Sequence, residues 1–288
     1  MLLAIPNVSE GRDAVAVAEI ADAFAAGGAE LLDIHSDPDH NRSVVTLKGE
    51  PSVLSHALLA GAREAVDRID LNRHDGLHPH VGAVDVAPVV HVGSAVRGAA
   101  CAEALVAADL IASELAVPVF LYGALAGGRT RAELRRGGPA ELARRLNSGE
   151  LRPDFGPPQL HPTAGATLVA ARPPLVAFNV ELRPPATKAD AMGIAAGIRE
   201  SGPTGLPGVR AIGLDLAARG GVAQVSLNIE DHERVSLAEV VAAIARHAPI
   251  AEAELVGLAP ASAFDGFPDD IPVRNRRTIE EAIEALGS

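Results

Sequence analysis

The chain has 288 residues, of which 48% are hydrophobic and 22% are charged, and its formal net charge is −12. These values predict a folded chain with a sizeable core, in one large domain or two small ones, and they argue against wholesale disorder. The acidic balance and an aromatic content of only 2% argue against nucleic acid as a partner, since phosphate contacts and base stacking would both be scarce.

The cysteine count and the N-terminal residues bear on the compartment. The single cysteine, Cys101, leaves no internal disulfide, and its alanine-rich helical surroundings predict a buried structural thiol. Pro6, Asn7, Glu10 and Arg12 interrupt the opening before a signal-peptide core could form, and no apolar run approaches ~18 residues. We therefore expect a cytoplasmic protein with no membrane partner.

Hydrophobic spacing predicts the same order of strands and helices in both halves of the chain. In the first half the predicted elements are a strand at 2–8, a helix at 12–26, strands at 31–34 and 43–48, a helix from Pro51 and a strand at 83–92. In the second half they are a strand at 175–182, a helix at 186–200, strands at 208–217 and 222–230, a helix at 236–247 and a strand at 254–258. Each half therefore has the β-α-β-β-α-β order of a split βαβ, or ferredoxin-like, unit.

We predict an α+β fold of two ferredoxin-like (βαββαβ) subdomains packed around a shared cleft. The predicted boundaries are 1–173 and 174–265, and a tail at 266–288 is expected to form a loop and one amphipathic helix. Between the two halves we predict a long helix with a buried face, followed by a strand at 117–122. The residues assigned to that face are Cys101, Leu105, Ala108, Ile111 and Leu115.

The stretch at 123–160 has a different character, being rich in glycine and arginine. Its arginine-rich helical part, 131–146, predicts an excursion on the surface of the first half. Residues 153–158 carry three prolines and a glycine, which exclude a regular element and indicate a linker or a rigid ligand loop.

Polar residues alternate with apolar ones in the two strands predicted to be central in the second half. Asn179 shares one face of its strand with Glu181, and Gln224 and Asn228 share the same face of the neighbouring strand. One interpretation is a sheet face that is open to water. The other is that this face lines the cleft against the first half, close to His78.

Three of the ten histidines, His74, His78 and His80, lie within seven residues before the strand at 83–92. Gly76, Pro79 and Gly82 exclude a regular helix there, so the imidazoles belong to a loop. Such a loop can be a solvated turn, a metal site with the spacing H-x3-H-x-H, or a source of general acid–base catalysis. The residues alone leave these three alternatives open, and we favour the third, without a metal.

Five motifs in chain order resemble those of the formiminotransferase (glutamate formimidoyltransferase) domain family. The opening IPNVSEGR at 5–12 is similar to the family's VPNFSEGR, NRSV at 41–44 to NRTV, and HPHVGAVDV at 78–86 to HPRMGALDV. PDFGP at 153–157 and AFNV at 177–180 resemble its PDFGP and AFNI. The resemblance covers the chain from near residue 4 to about residue 260.

The resemblance implies two ferredoxin-like subdomains with the active site between them, in a homodimer. It implies transfer of the formimino (or formyl) group from N-formimino-L-glutamate to N5 of tetrahydrofolate, a co-substrate, in histidine breakdown and one-carbon metabolism. It makes His78 the catalytic residue. The folate-binding stretch of the family carries over to Gly156, Pro157, Gln159, Pro162, Thr163 and Gly165. We expect Gly165→Trp to block tetrahydrofolate binding and to leave the fold intact.

Both implied substrates carry carboxylates, which an acidic protein must hold with local cations. Arg42 and Arg12 lie in motif-matched loops and are the candidates, although each could also be an ordinary surface arginine. The remaining candidates for substrate binding are Asn7, Asn41, His80, Asn179 and Asn228.

The chain departs from the family beside the predicted catalytic residue. Leu77 and His80 stand where the family has Glu and Arg, and Leu160 and Ala164 replace two aromatic residues of the folate stretch. These changes leave two further functions open: a binding protein of the same fold that has lost catalysis, and a metal-dependent hydrolase that uses the three histidines.

Overall fold

The computed structural model describes residues 1–216 and 219–287. The chain divides into two compact units, Met1–Pro173 and Pro174–Ser288. Each unit has its own β-sheet and its own helices, so the predicted α+β class with two sheets is confirmed. No helix within the described ranges is long and apolar enough to cross a membrane.

The first unit is built on a seven-stranded sheet. Its strands are β1 Leu2–Ala4, β2 Asn7–Val8, β3 Glu30–Asp37, β4 Arg42–Gly49, β5 Val84–His91, β6 Val119–Leu121 and β7 Thr167–Arg172. Its helices are α1 Ala14–Ala26, α2 Leu54–Arg68, α3 Arg97–Leu115, α4 Arg131–Arg135 and α5 Gly138–Asn147. The strand predicted at 2–8 is therefore two short strands, interrupted at Pro6, and both pair with β4 and β5.

The order of the strands brings the predicted site loops to neighbouring positions. β3 lies beside β4, β1 and β2 lie between β4 and β5, and β7 and β6 extend the sheet in parallel beyond β5. The turn after β3 and the loop before β5 therefore flank the same central strands. α2 begins at Leu54, after a turn at 51–53, and not at Pro51 as predicted.

Two predictions for the helices of the first unit are wrong. Leu105 of α3 is 39% exposed and Cys101 is half-buried, because the helix packs on the sheet through small alanines such as Ala104 and Ala108. The stretch at 131–146 is no surface excursion, since Leu134 and Leu142 are fully buried against the sheet residues around Phe120. This part of the chain gives the sheet a second packed face.

The second unit has a five-stranded sheet in the order β12-β11-β8-β10-β9. Its strands are β8 Val176–Leu182, β9 Val209–Leu216, β10 Val222–Ile229, β11 Ile250–Val256 and β12 Val273–Arg274, and its helices are α6 Lys188–Ile198, α7 Leu237–Ala245 and α8 Ile279–Leu286. β8 and β10 are adjacent and central, and their apolar faces are buried in one core, as the alternation predicts. β11 begins four residues earlier than predicted, and 266–287 includes β12 besides the expected helix α8.

Candidate active site

The histidine loop lies between a one-turn helix, Leu71–Arg73, and β5, and it is tied to two other loops by Asn41. The Asn41 side chain donates to the Asp75 carbonyl oxygen over 3.0 Å and accepts from the Gly11 amide over 2.9 Å. Asn41 is 6% exposed and has a φ of +47°, a left-handed conformation that asparagine tolerates better than most residues. Both ends of its amide form hydrogen bonds within the protein and join the loops of the site, and its part in substrate binding stays a prediction.

His78 points its Nε2 at an arginine. The distance from Nε2 to Arg42 Nη1 is 2.6 Å, and because a guanidinium can only donate, Nε2 is the acceptor. The neutral imidazole therefore carries its proton on Nδ1. Burial lowers the pKa of His78 well below 6.5, and the positive charges of Arg42, Arg135, His40 and Arg131 lower it further. His78 is thus an uncharged base at neutral pH.

Asp85 of β5 is the buried counter-charge of this site. It is 1% exposed, its Oδ1 accepts from the Val81 amide over 2.8 Å, and its Oδ2 accepts from Arg135 Nη2. Burial lowers the pKa of Arg42 to about 10, with Arg135 acting in the same direction and Asp85 opposing it. Arg42 remains charged at neutral pH, and Asp85 lies within electrostatic reach of both arginines.

Sequence reasoning missed Arg131 and Arg135, which belong to the stretch interpreted as a surface excursion. Both lie on α4, one helical turn apart, and α4 is only five residues long but begins with a capping box between Thr130 and Glu133. The guanidinium of Arg131 lies 5.7 Å from the centre of the Tyr122 ring. An i, i+4 pair of arginines was the available signal. We call Arg42, Arg131 and Arg135 the arginine cluster.

A second histidine, His40, faces His78 with its ring edge-on, and the two ring centres are 6.4 Å apart. His40 Nδ1 lies 2.5 Å from Asp37 Oδ2 and the residue is 5% exposed. Burial raises the pKa of Asp37, but the hydrogen bond and charge of His40 outweigh it and bring the pKa to about 2. Asp37 is therefore hydrogen-bonded to His40, and it acts on Arg42 of the arginine cluster only through its charge.

His74 and His80 form a separate pair. Their ring centres are 4.3 Å apart, and His80 Nδ1 lies 3.2 Å from the His78 carbonyl oxygen. Burial lowers the pKa of His74, and His80 adds to the effect. Across 1–216 and 219–287, no three His, Cys, Asp or Glu side chains come together as metal ligands. The geometry gives the metal-dependent alternative no set of ligands in these ranges.

Arg12 and Asn7 lie on the opening loop. Arg12 is exposed, and its Nε donates to the Pro38 carbonyl oxygen over 2.9 Å, whereas Asn7 is half-buried and donates to the Ile5 carbonyl oxygen. Arg12 therefore braces the turn between β3 and β4 while the residue remains exposed.

The predicted folate stretch is hydrogen-bonded to the histidine loop. The Leu71 amide donates to the Thr163 carbonyl oxygen, the Ala83 amide donates to the Ala164 carbonyl oxygen, and Gly165 forms a bridge with Gly82. Of the other predicted residues, Thr163 and Pro157 are half-buried and Gly156, Gln159 and Pro162 are exposed.

Gly165 has no room for a side chain. Its φ is +68°, and a Cβ built there would lie 2.2 Å from the Val81 carbonyl oxygen. The expectation that Gly165→Trp leaves the fold intact is therefore wrong, because the substitution would push on the loop that carries His78.

Two predicted site residues belong to the second unit. Asn179 is 2% exposed and donates to Glu254 Oε2 over 3.1 Å, whereas Asn228 is half-buried. On the same sheet face Gln224 is 1% exposed and Glu181 accepts from both Arg219 and Arg274. This face is therefore buried at Asn179, Glu181 and Gln224 and half-buried at Asn228, and its proximity to His78 stays a prediction.

The fold and the site define a two-unit α+β protein whose first unit sets a neutral histidine among three arginines, an arrangement suited to proton transfer on anionic ligands. The family model described as "Formiminotransferase domain, N-terminal subdomain" matches residues 1–172, and the one described as "Formiminotransferase domain" matches residues 177–268. The chain belongs to the formiminotransferase domain family, as the motifs predicted.

Individual relatives agree with this assignment. The chain is 38% identical to the glutamate formimidoyltransferase of Streptococcus pyogenes serotype M1, over 90% of this chain and 89% of that protein. It is 32% identical to that of Thermoplasma acidophilum, over 90% and 88% of the two chains. It is also 38% identical to the formimidoyltransferase-cyclodeaminase of Sus scrofa over 90% of this chain, and it spans about half (50%) of the length of that relative.

Proposed function

We propose that the chain is a glutamate formimidoyltransferase that moves the formimino (or formyl) group of N-formimino-L-glutamate to N5 of tetrahydrofolate. The family and the names of the two prokaryotic relatives support the reaction. The observation that carries it is the neutral His78 held against Arg42 within the arginine cluster.

His78 has the proton chemistry that the transfer needs. A bond must form between N5 and the formimino carbon, and the glutamate nitrogen must gain a proton as it leaves. A histidine that begins neutral can take the proton released at N5 and return it to the leaving nitrogen, a contribution of roughly 10²–10⁴ in rate. The lowered pKa of His78 keeps the base form available throughout the neutral range.

The arginine cluster supplies the charge that anionic substrates need. One nitrogen of Arg135 donates to Asp85. Arg131 lies against the Tyr122 ring, and within the described residues it forms no ion pair with a carboxylate. A substrate carboxylate that binds Arg42 would draw its guanidinium away from Nε2 and leave the His78 lone pair free for the proton. We propose Arg42 and Arg131 as the primary anchors, with Arg12, Asn7, His80, Asn179 and Asn228 as further contacts.

For tetrahydrofolate, the proposed co-substrate, the support comes from backbone hydrogen bonds of the predicted folate stretch. The stretch at 156–165 is joined to the histidine loop, which supports binding of the acceptor close to His78. Leu160 is half-buried and Ala164 is buried, so these two positions offer no ring for stacking on a pterin. We propose Gly156, Pro157, Gln159, Pro162, Thr163 and Gly165 as the lining of this subsite.

A binding protein without catalysis is the second candidate. One observation favours it: Arg42 occupies the Nε2 lone pair that a base must offer. Turnover decides between the two. We expect purified protein to convert formiminoglutamate and tetrahydrofolate into 5-formiminotetrahydrofolate, followed by its ultraviolet absorbance. Binding of both compounds by calorimetry with no turnover would favour the second candidate, and binding of neither would contradict both.

The wider setting follows from the same proposal. We propose a cytoplasmic homodimer that acts in histidine breakdown and meets only small-molecule partners, without nucleic acid or membrane. Sedimentation of the purified protein across a concentration series, with and without both substrates, tests the dimer.

A further inference from the structure

Two arginines whose charges act on His78, Arg42 and Arg135, compete for one carboxylate, that of Asp85. The carboxylate of Asp85 is buried, its charge acts on Arg42, and it has Arg135 as its hydrogen-bonded partner. Arg42 is thereby left to donate to His78 Nε2 over 2.6 Å. A carboxylate attracts a guanidinium far more strongly than a neutral imidazole does. Without Arg135, Asp85 would therefore pair with Arg42.

We propose that Arg135 is a positioning residue: by occupying Asp85, it keeps Arg42 on His78 and so sets the protonation and orientation of the histidine. Arg135 does this from α4, which contributes nothing to the sheet itself. The inference deepens the proposed function, because it says how the base of the reaction is kept neutral and in place until a substrate carboxylate draws Arg42 away.

The fold supports this role through two contacts of Asp85. Its Oδ1 accepts from the Val81 amide, three residues after His78, while its Oδ2 is held by Arg135. One carboxylate thus connects α4 to the loop that carries His78. The Nε of Arg135 is buried and makes no hydrogen bond, so Arg135 holds Asp85 through its Nη2.

The charges that act on His78 are those of Arg42 on β4, His40 in the turn before it, and Arg131 and Arg135 on α4. Two carboxylates, Asp37 at the end of β3 and Asp85 on β5, act on Arg42. Loss of Arg135 would remove one positive charge and withdraw Arg42 from Nε2. Both changes favour the imidazolium and raise the pKa of His78.

The test is a titration of His78 by NMR in the full chain, with its Cε1–H resonance assigned by its absence from His78→Asn. We expect the pKa of His78 in Arg135→Met to rise by about 1 unit or more, a tenfold gain in proton affinity. Arg135→Lys should keep the wild-type value, because the ammonium can still hold Asp85. Arg136→Met is the matched control: Arg136 is the next residue, its side chain is 68% exposed and it pairs with Glu150, so the titration of His78 should not move.

A double variant separates positioning from a general loss of structure. Asp85→Asn with Arg135→Met removes both charges but keeps an oxygen for the Val81 amide, so Arg42 should return to His78. We expect the pKa to fall back toward the wild-type value. An unchanged titration in Arg135→Met would overturn the proposal, and so would a double variant that titrates like the single one.

The same proteins separate this inference from the proposed function. If wild type turns over formiminoglutamate, the acid limb of its kcat/KM profile should move to higher pH in Arg135→Met and stay in place in Arg136→Met. A wild type without turnover contradicts the proposed reaction and leaves the NMR series to decide on Arg135. Turnover together with an unmoved His78 titration contradicts the role of Arg135 alone.

Discussion

The two units each contain a group of arginines and carboxylates, but the balance of charge is opposite. Around His78 there are three arginines, one buried carboxylate, Asp85, and a second carboxylate already paired with His40. On the sheet face of the second unit two arginines, Arg219 and Arg274, share three carboxylates, Glu181, Glu252 and Glu254.

This difference in charge balance indicates that the group around His78 binds an anion, whereas the charges of the group in the second unit are already paired. The group in the second unit satisfies its arginines with protein carboxylates, so its excess charge is negative and its ion pairs join β8, β11 and β12. The group in the first unit keeps an excess of positive charge beside a neutral base, a costly arrangement unless an anion joins it. We infer that the first is functional and the second is structural.

The largest effect is expected at His78. His78→Asn keeps a polar side chain that can face Arg42 but cannot carry the proton, so kcat should fall by roughly 10²–10⁴ with little change in substrate affinity. His56→Asn is the control, because His56 is exposed on α2 and its Nδ1 lies 3.0 Å from the Ser52 carbonyl oxygen. Steady-state kinetics and calorimetry measure the two quantities. Wild-type kcat in His78→Asn would remove it from the reaction.

Matched arginine substitutions in the two units sharpen the comparison. Arg131→Met should raise KM for formiminoglutamate about tenfold, because it removes one charge-assisted contact with the substrate. The midpoint of thermal unfolding should barely change. Arg274→Met should cost about 1–2 kcal/mol of unfolding free energy, because Glu181 is 3% exposed and would lose one of its two partners. Urea unfolding and kinetics on both variants provide the measurements.

Arg210→Met is the control for the second unit, since Arg210 bonds Glu200 and Glu230 on the surface and should change stability by less than about 0.5 kcal/mol. If Arg274→Met cost no more than Arg210→Met, the group in the second unit would not be a structural clamp. If Arg131→Met lowered stability without changing KM, the arginine cluster would lose its role as an anion site.

A pH prediction concerns Asp37, the carboxylate that is paired with His40. Because the pKa of Asp37 is about 2 in the folded protein and 3.8 is its ordinary value, the ion pair with His40 stabilises the fold above pH ~4 and this stability is lost as the pH falls through about 2. The difference amounts to about 2 kcal/mol. Asp37→Asn should therefore lower the unfolding free energy at pH 6 and have little effect at pH 2. A constant difference between the two proteins across this range would contradict the assignment.

Much of the fold follows from the spacing of apolar residues alone. The alternation in β8 and β10 is simple because each strand has one core face, and that face was predicted residue by residue. The predictions that were wrong concern helices whose hydrophobic pattern is weak. The face of α3 was misjudged because alanines carry its packing, and α4 and α5 were misjudged because glycines separate their few leucines.

The candidate site could be predicted from the sequence only where its residues lie in recognisable motifs. His78 and Arg42 lie in motifs, and their 2.6 Å contact joins two loops that the motifs had already marked. Arg131, Arg135 and Asp85 could not be chosen from the sequence, since their roles depend on which loop each side chain reaches. Asp85 was visible only as a polar residue within an apolar strand, whose partner lies 50 positions away.

The smallest effect is expected at His80, where the family has Arg. His80 is half-buried, and one of its ring nitrogens lies beside the His78 carbonyl oxygen, which leaves the other for a ligand. Because Nδ1 must donate to that carbonyl oxygen, Nε2 can donate to a carboxylate only in the imidazolium form, whereas a guanidinium keeps its charge across the working range. KM for formiminoglutamate should therefore rise toward alkaline pH in wild type and stay flatter in His80→Arg, with kcat changed less than about threefold. KM measured between roughly pH 5.5 and 8.5 gives the comparison. Parallel profiles in the two proteins would exclude His80 as a carboxylate anchor and leave that task to the arginine cluster.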